Sequence, residues 1–170
     1  QGGADAAKFQ SYKAGTLASK NSPAYWDTNK EPTTSQYVLF QKYDNFGPDD
    51  YIALAEHCRQ TDIDFLSTPF DDDAIEFLDP IVPFFKIASA DLTNVPFLRK
   101  VAAKGKPVVL STGASTLGEI DIAVKALTQA GCKDLALLHC ILNYPTVNDN
   151  AHLRMIQGLK RAYPNNIIGY

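Results

Sequence analysis

Short apolar runs alternate along the chain with longer segments that carry the hydrophobic stripe of a helix. This alternation is typical of βα units arranged around a parallel sheet. Runs such as Val108-Val109-Leu110 are apolar at every position, which indicates strands covered on both faces. The pattern predicts six parallel strands: Ala6–Gln10, Asp64–Thr68, Phe84–Ser89, Pro107–Thr112, Leu135–Cys140 and Asn166–Tyr170.

Capping residues predict where two of the intervening helices begin and end. Thr116 and Glu119 have the spacing of a capping box, in which each side chain binds a backbone N–H at the start of a helix. Asn94 predicts the start of an earlier helix. Gly131 follows the apolar stripe of the helix that starts at Thr116, and Gly105 follows that of the helix that starts at Asn94. Glycine is well suited to the left-handed conformation that ends a helix. We therefore expect helices after the third and fourth strands.

The segment Ala14–Phe46 interrupts this alternation. It is long and polar, and it carries the aromatic residues Tyr25, Trp26, Tyr37 and Tyr43. Long loops with aromatic side chains often serve as lids or binding loops. An ordinary surface flap pinned by its own aromatics fits the same pattern, so the sequence leaves both interpretations open.

The predicted elements favour an α/β fold, a (β/α) TIM-type barrel. A doubly wound open sheet is the alternative, but it usually carries a glycine-rich phosphate loop, and neither GxGxxG nor GxxxxGK[ST] occurs in the chain. A complete barrel takes about 250 residues, whereas this chain has 170. We therefore expect residues 1–170 to form one partial barrel domain with about six of the eight parallel strands.

Composition excludes several classes of function. The chain has 16 Lys and Arg against 19 Asp and Glu, and a net charge of −3 gives no basic surface for nucleic acid. Its apolar stretches are far shorter than the roughly 20 residues of a membrane helix. Three cysteines without a CxxC motif, and no signal-peptide pattern, favour a reducing cytoplasm.

Polar residues cluster at the predicted C-terminal ends of the strands. In a barrel these ends form the active face, so a polar residue there is a functional candidate. Nearly every strand supplies one or more. The candidates are Lys8, Gln10, Ser67, Thr68, Lys86, Ser89, Asp91, Ser111, Thr112, Gly113, His139, Asn143 and Tyr144.

Lys8 and Lys86 stand out because each lies within an apolar strand. A lysine inside a barrel must face an anionic partner, since burying its charge alone is costly. We expect both ammonium groups to be buried and to share one bound anion. A structural ion pair with an internal carboxylate such as Asp64 or Asp91 is the alternative.

Two further candidates have weaker signals. Ser111-Thr112-Gly113, at the turn into a capped helix, can present hydroxyl and N–H groups to a phosphate, although such a turn often has only a structural role. His139 lies at a strand end and fits a metal ligand or an acid–base residue. No second ligand stands at a diagnostic spacing, so packing of His139 in the core explains its position equally well.

Taken together, the strand-end motifs resemble those of the N-acylneuraminate (sialic acid) synthase family. Each motif is common alone, but their order and spacing cover nearly the whole chain. The motifs are Lys8-Phe9-Gln10, Ser67-Thr68-Pro69-Phe70, Phe85-Lys86-Ile87-Ala88-Ser89, Leu110-Ser111-Thr112-Gly113, Leu138-His139-Cys140 and Tyr144-Pro145-Thr146.

The resemblance implies a TIM-barrel transferase that condenses phosphoenolpyruvate with an open-chain N-acylhexosamine, similar to N-acetylmannosamine, and releases phosphate. It implies a divalent cation, Mn²⁺ or Mg²⁺. Lys8 and Lys86 would offset the charges of phosphoenolpyruvate. Further implied ligand-binding residues are Thr68, Ser89, Ser111 and Thr112 for phosphoenolpyruvate and Gln10 and Tyr144 for the sugar.

Some positions depart from the family pattern. Asp91 stands where many members carry Glu, and this shorter carboxylate is expected to alter how the sugar or water is positioned. The family's first-strand Glu, its two metal-binding histidines and its C-terminal antifreeze-like domain have no counterpart in residues 1–170. We therefore expect no metal ligand within this chain and poor metal binding by it alone. A homodimer of the full-length protein is one option that the resemblance leaves open.

Two other functions compete with the synthase. Lys86 fits the nucleophile of a Schiff-base aldolase, which needs a desolvated amine and no metal. A non-catalytic sugar- or phosphate-binding remnant fits the absence of metal ligands. The sequence does not decide which amino sugar or acyl group a synthase would use.

Overall fold

The computed structural model describes residues 3–143 and 145–170. Within these residues the chain forms six strands, seven α-helices and two short 3₁₀ helices. The strands are β1 (Ala6–Ser11), β2 (Asp64–Pro69), β3 (Phe85–Ile87), β4 (Val108–Ser111), β5 (Leu135–Leu138) and β6 (Ile167–Gly169). The helices are α1 (Ala14–Leu17), α2 (Gln36–Tyr43), α3 (Pro48–Gln60), α4 (Asp72–Leu78), α5 (Val95–Ala103), α6 (Leu117–Gln129) and α7 (Arg154–Ala162).

All paired strands run parallel, which confirms the α/β class. The chain divides into two compact units, Gln1–Val82 and Pro83–Tyr170. The first unit holds the pair β1-β2, and the second holds a four-stranded sheet in the order β3-β4-β5-β6. Strand order therefore follows chain order within each sheet.

The second unit buries one face of strands β3, β4 and β5. Phe85, Ile87, Val108, Leu110 and Leu137 are almost inaccessible to solvent. These side chains form the core with the apolar stripes of α5 and α6, because alternate residues of a strand point to opposite faces. The helical residues in this core are Leu98, Val101, Ala102, Ile120, Ala123 and Leu127.

The predicted helix signals are confirmed. The Thr116 hydroxyl accepts the N–H of Glu119 at 3.3 Å, and the Glu119 carboxylate accepts the Thr116 N–H at 2.7 Å. Asn94 accepts the N–H of Phe97 at the start of α5. Gly105 and Gly131 adopt φ values of 72° and 104°, a region that residues with a Cβ rarely enter.

The segment Ala14–Phe46 is more regular than the sequence indicates, because it contains α1 and α2. Helix α2 buries none of its residues fully, so it has no apolar stripe that would reveal it. The Trp26 indole N–H donates to the carbonyls of Glu31 and Thr33 at 3.0 and 3.1 Å. These bonds favour the interpretation of the segment as a surface flap pinned by Trp26. The neighbouring side chain of Tyr25 is 75% exposed.

Candidate active site

Lys86 and Ser111 share the less covered face of the four-stranded sheet. Lys86 pairs with Val109 on β4, and Ser111 follows Val109 by two positions, so both side chains project to the same face. Lys86 and Val109 are half-buried there. Helices α5 and α6 pack on the opposite face.

The Lys86 ammonium is held at the C-terminal end of β3 and β4. Its Nζ donates to the Ser111 hydroxyl oxygen at 2.6 Å and to the Ile87 carbonyl at 3.0 Å. A hydroxyl that accepts one bond keeps its own hydrogen to donate. The pair therefore presents a positive charge and a neutral donor on the same face, as an anion site requires.

Ser89 and Asp91 lie in a 3₁₀ helix that begins two residues after β3. Asp91 is half-buried, and no described group bonds its Oδ2 atom, which has almost no contact with solvent. Burial raises the pKa of the Asp91 carboxyl, and a hydrogen bond from the Asn94 side chain partly opposes this. A carboxyl with a raised pKa beside a candidate ligand site is suited to proton transfer.

Thr112 is buried and bonded to the neighbouring strand. Its hydroxyl and its backbone N–H both donate to the Leu138 carbonyl at 3.0 Å. In this arrangement the Thr112 hydroxyl can accept a hydrogen bond from a ligand but cannot donate one. Its predicted contact with substrate stays a prediction.

His139 is bonded into the core. Its Nε2 lies 2.8 Å from the Ala151 carbonyl, and its ring is tilted by 59° relative to the ring of Tyr170, with 5.7 Å between the centroids. A carbonyl only accepts hydrogen bonds, so Nε2 carries the hydrogen. This geometry favours the packing interpretation of His139.

Side chains that commonly bind metals do not cluster within the described ranges. No group of three or more His, Cys, Asp or Glu side chains gathers there. A site built from protein side chains alone usually needs three or four such ligands, whereas Mg²⁺ is often held by one or two carboxylates with water and substrate oxygens. No chemical step is therefore assigned to a metal held by this chain.

Lys8, Gln10 and Thr68 occur together in the first unit. Lys8 pairs with Leu66 and Gln10 with Thr68, so all four side chains share one face of the β1-β2 pair. Thr68 is buried, but Lys8 and Gln10 are exposed. The expectation of a buried Lys8 ammonium is wrong, because among the described strands β1 has a partner on one edge only and Lys8 projects into solvent. Lys8 as a catalytic residue stays a prediction.

The remaining candidates from the sequence are Tyr144, Ser67 and Asn143. Tyr144, predicted to face the sugar, lies outside the described residues. Ser67 points to the opposite face from Thr68, where its hydroxyl bonds that of Ser11 at 2.7 Å. This bond indicates that Ser67 supports the strand pair itself. Asn143 is exposed.

The sequence analysis did not predict the role of Lys13. Its Nζ donates to the carbonyls of Asp44 and Phe46 at 2.6 and 2.9 Å, and the Asp44 carboxylate accepts the Ala14 N–H at 2.8 Å. These bonds join the two ends of the Ala14–Phe46 segment beside β1. A lysine just after a strand end was the only available signal.

Comparison with known proteins agrees with the strand-end motifs. Residues 1–170 match the sequence profile of the NeuB family. The chain belongs to this family. It is 43% identical to an uncharacterized protein of Methanocaldococcus jannaschii over 99% of this chain and 46% of that protein. It is 37% identical to the N,N'-diacetyllegionaminic acid synthase of Campylobacter jejuni over 95% of this chain and 49% of the relative.

Solved structures of this family also resemble the chain. The N-acetylneuraminic acid (sialic acid) synthetase of Leptospira borgpetersenii, in complex with citrate, is 34% identical with a TM-score of 0.83, covering 98% of this chain and 53% of that one. The NeuB-family chain thus spans about half the length of the curated relatives described above. None of its described helices is long and apolar enough to cross a bilayer.

Proposed function

We propose that this chain is part of a synthase that condenses phosphoenolpyruvate with an N-acylhexosamine similar to N-acetylmannosamine. The products are a nonulosonic acid of the sialic acid type and inorganic phosphate. The observation that carries the proposal is the Lys86 ammonium, held by Ser111 on the sheet face that the helices leave accessible. Membership of the NeuB family and the names of the relatives point to the same chemistry.

For the whole protein we propose a TIM-type barrel, of which this chain would supply about six strands. The strand order β3-β4-β5-β6 supports it, because a doubly wound sheet reverses direction at a switch point. A first strand, a last strand and a C-terminal antifreeze-like domain would lie outside this chain. We place the reaction in the cytoplasm, which suits the free thiols of Cys58, Cys132 and Cys140.

The proposed reaction forms one carbon–carbon bond and breaks one carbon–oxygen bond. The C3 carbon of phosphoenolpyruvate bonds to the aldehyde carbon of the open-chain sugar, and the aldehyde oxygen takes up a proton. Water then adds at C2, which forms a C–O bond and releases a proton. The C2–O bond to phosphate breaks as the new C2 hydroxyl becomes the ketone, and the proton of that hydroxyl goes to the released phosphate. The keto acid and inorganic phosphate account for every atom, so no oxidant or reductant is required.

The proposed work of the protein is mainly the handling of charge. Phosphoenolpyruvate carries a phosphate and a carboxylate, and the Lys86 ammonium is fixed in place before it binds. Donors fixed in advance stabilise developing charge without reorganising during the reaction. Ser89 and Ser111 are proposed as neutral donors to phosphoenolpyruvate, and Thr68 stays a predicted donor in the first unit.

Asp91 is proposed to hold and transfer a proton. Burial raises the pKa of its carboxyl, so Asp91 takes up a proton more readily than an exposed carboxylate and can pass it to the oxygen of the sugar aldehyde. The divalent cation, Mn²⁺ or Mg²⁺, remains part of the proposal for the full-length enzyme only. It would polarise the aldehyde when bound, and its ligands are proposed to lie outside this chain.

The decisive variant is Lys86→Met in the full-length enzyme. Loss of hydrogen bonds to a charged group costs about 1.5–3 kcal/mol, so affinity for phosphoenolpyruvate should fall at least about tenfold. Calorimetry measures this affinity, and mass spectrometry detects the nonulosonic acid. The matched control is Lys133→Met, since Lys133 is an exposed lysine of the same unit. Unchanged affinity in Lys86→Met would contradict the proposal.

Two further results would replace the proposal. Trapping of a carbonyl substrate on Lys86 by borohydride, with turnover independent of metal, would indicate a Schiff-base aldolase. Binding of phosphoenolpyruvate by the full-length protein without turnover, in the presence of Mn²⁺ and amino sugars, would indicate a binding remnant.

A further inference from the structure

Gly113 lies where the C-terminal ends of β3, β4 and β5 come together. It follows β4 by two residues and is buried. A Cβ atom at this position would lie 3.1 Å from the Ser89 hydroxyl oxygen, 3.2 Å from the Cys140 sulfur and 3.3 Å from the Cys140 carbonyl oxygen. All three contacts are shorter than ordinary van der Waals separations, so a side chain at Gly113 must displace at least one neighbour.

The neighbours differ in how easily they can move. The Cys140 carbonyl belongs to the backbone just after β5, where the N–H of His139 is bonded to the Gly169 carbonyl at 2.9 Å. The Ser89 hydroxyl and the Cys140 thiol move by rotation about a single χ1 bond. A methyl group at Gly113 would therefore change the positions of the Ser89 and Cys140 side chains first.

We propose that Gly113 is a positioning residue for substrate binding, because its missing side chain leaves the Ser89 hydroxyl where phosphoenolpyruvate needs it. The inference rests on the proposed function, in which Ser89 donates to phosphoenolpyruvate. Gly113 does not adopt a positive φ, so conformational freedom of the backbone does not require glycine here. Glycine is required because the space between the strand ends is too narrow for a Cβ atom.

The test is a double-mutant cycle on the full-length enzyme, with the dissociation constant of phosphoenolpyruvate as the readout. Gly113→Ala should weaken binding roughly tenfold, the effect of losing one hydrogen bond to a charged ligand. Ser89→Ala should weaken binding by a similar factor. In the Ser89→Ala background, Gly113→Ala should add less than about twofold, because the hydroxyl that it displaces is already absent.

Two results would overturn the inference. One is unchanged affinity in Gly113→Ala, and the other is an equal loss in the presence and absence of the Ser89 hydroxyl. A purely structural role predicts the equal loss, since it does not act through Ser89. Gly158→Ala is the control, because no atom lies within 4 Å of a Cβ at Gly158, and its affinity should equal that of the wild type.

Folding and function can be separated within the same experiment. Should Gly113→Ala fail to fold, the cycle is repeated in a Cys140→Ala background, which removes the sulfur contact and keeps the 3.1 Å contact with Ser89. In that background, unchanged affinity in Gly113→Ala, or an equal loss with and without the Ser89 hydroxyl, would again overturn the inference. If the wild-type enzyme itself neither binds nor consumes phosphoenolpyruvate, the proposed function fails. If it does both and the cycle is additive, only the inference on Gly113 fails.

Discussion

Replacing Asp91 by asparagine should make the protein more stable and less active. The Asp91 Oδ2 atom is buried without a partner among the described residues. A buried polar atom without a hydrogen bond costs about 1–3 kcal/mol, and more when it is charged. Asparagine has nearly the same shape but no charge, and its amide group would be unpaired in the same way. Asp91→Asn should therefore recover only the part of the cost that is due to the charge, on the order of 1 kcal/mol of the free energy of unfolding at neutral pH.

The pH dependence of this gain follows from the direction of the pKa shift. Burial raises the pKa of Asp91 above its ordinary value of 3.8, so the folded protein binds the proton more tightly than the unfolded chain. The wild type is therefore stabilised at Asp91 below pH 3.8 and loses this contribution as the pH rises through the folded pKa. The advantage of Asp91→Asn should be largest at neutral pH and vanish below pH 3.8.

Thermal unfolding between pH 3 and pH 8 would measure this, with roughly 2–4 °C expected for each kcal/mol. Asp134→Asn is the control, because Asp134 is exposed. Synthase turnover of the full-length Asp91→Asn enzyme should fall by about 100-fold or more, the usual contribution of a general acid. A melting temperature equal to the wild type at neutral pH would refute the argument from burial, and full turnover would refute the role in proton transfer.

The remaining predictions concern the supports of the site. Thr116→Ala should lower the free energy of unfolding by about 1 kcal/mol, because it removes the bond from the Glu119 N–H. Urea unfolding measures this, and no loss relative to Thr128→Ala in the last turn of α6 would contradict it. Lys13→Met should speed chymotryptic cleavage after the exposed Tyr25, because it removes two bonds at the base of the segment. Cleavage as slow as in Lys133→Met would show that these bonds do not restrain it.

Local signals in the sequence predicted the regular elements well. A capping box needs only two residues three apart, so Thr116 and Glu119 reveal the start of α6 directly. Strand ends were less accurate, since β3 stops at Ile87 and gives way to the 3₁₀ helix Ser89–Asp91. Helix α2 was missed because it buries no residue fully, and without a buried face there is no apolar period to detect.

The site was only partly predictable, because its contacts depend on strand register and strand position. The Lys86–Ser111 bond joins residues 25 positions apart, and only the pairing of β3 with β4 brings them together. An apolar neighbourhood in the sequence suggested burial for Lys8, but exposure depends on which edge and face of β1 are covered. The tight fit around Gly113 likewise results from three separate strand ends, and no spacing rule reports it.

The bonds of Lys13 to two main-chain carbonyls have an evolutionary consequence. Every residue type supplies a carbonyl, so the two bonds of Lys13 do not restrict the side chain at position 46, whereas position 44 needs the Asp44 carboxylate for the Ala14 N–H. Doubling the length of a flexible connection costs only about 0.6 kcal/mol in closure entropy. Insertions, deletions and exchanges at the exposed positions 27–30 should therefore be inherited readily, whereas Trp26 and Glu31, which hold the segment, should be kept. This gives related proteins a region for diversifying around a constant strand β1.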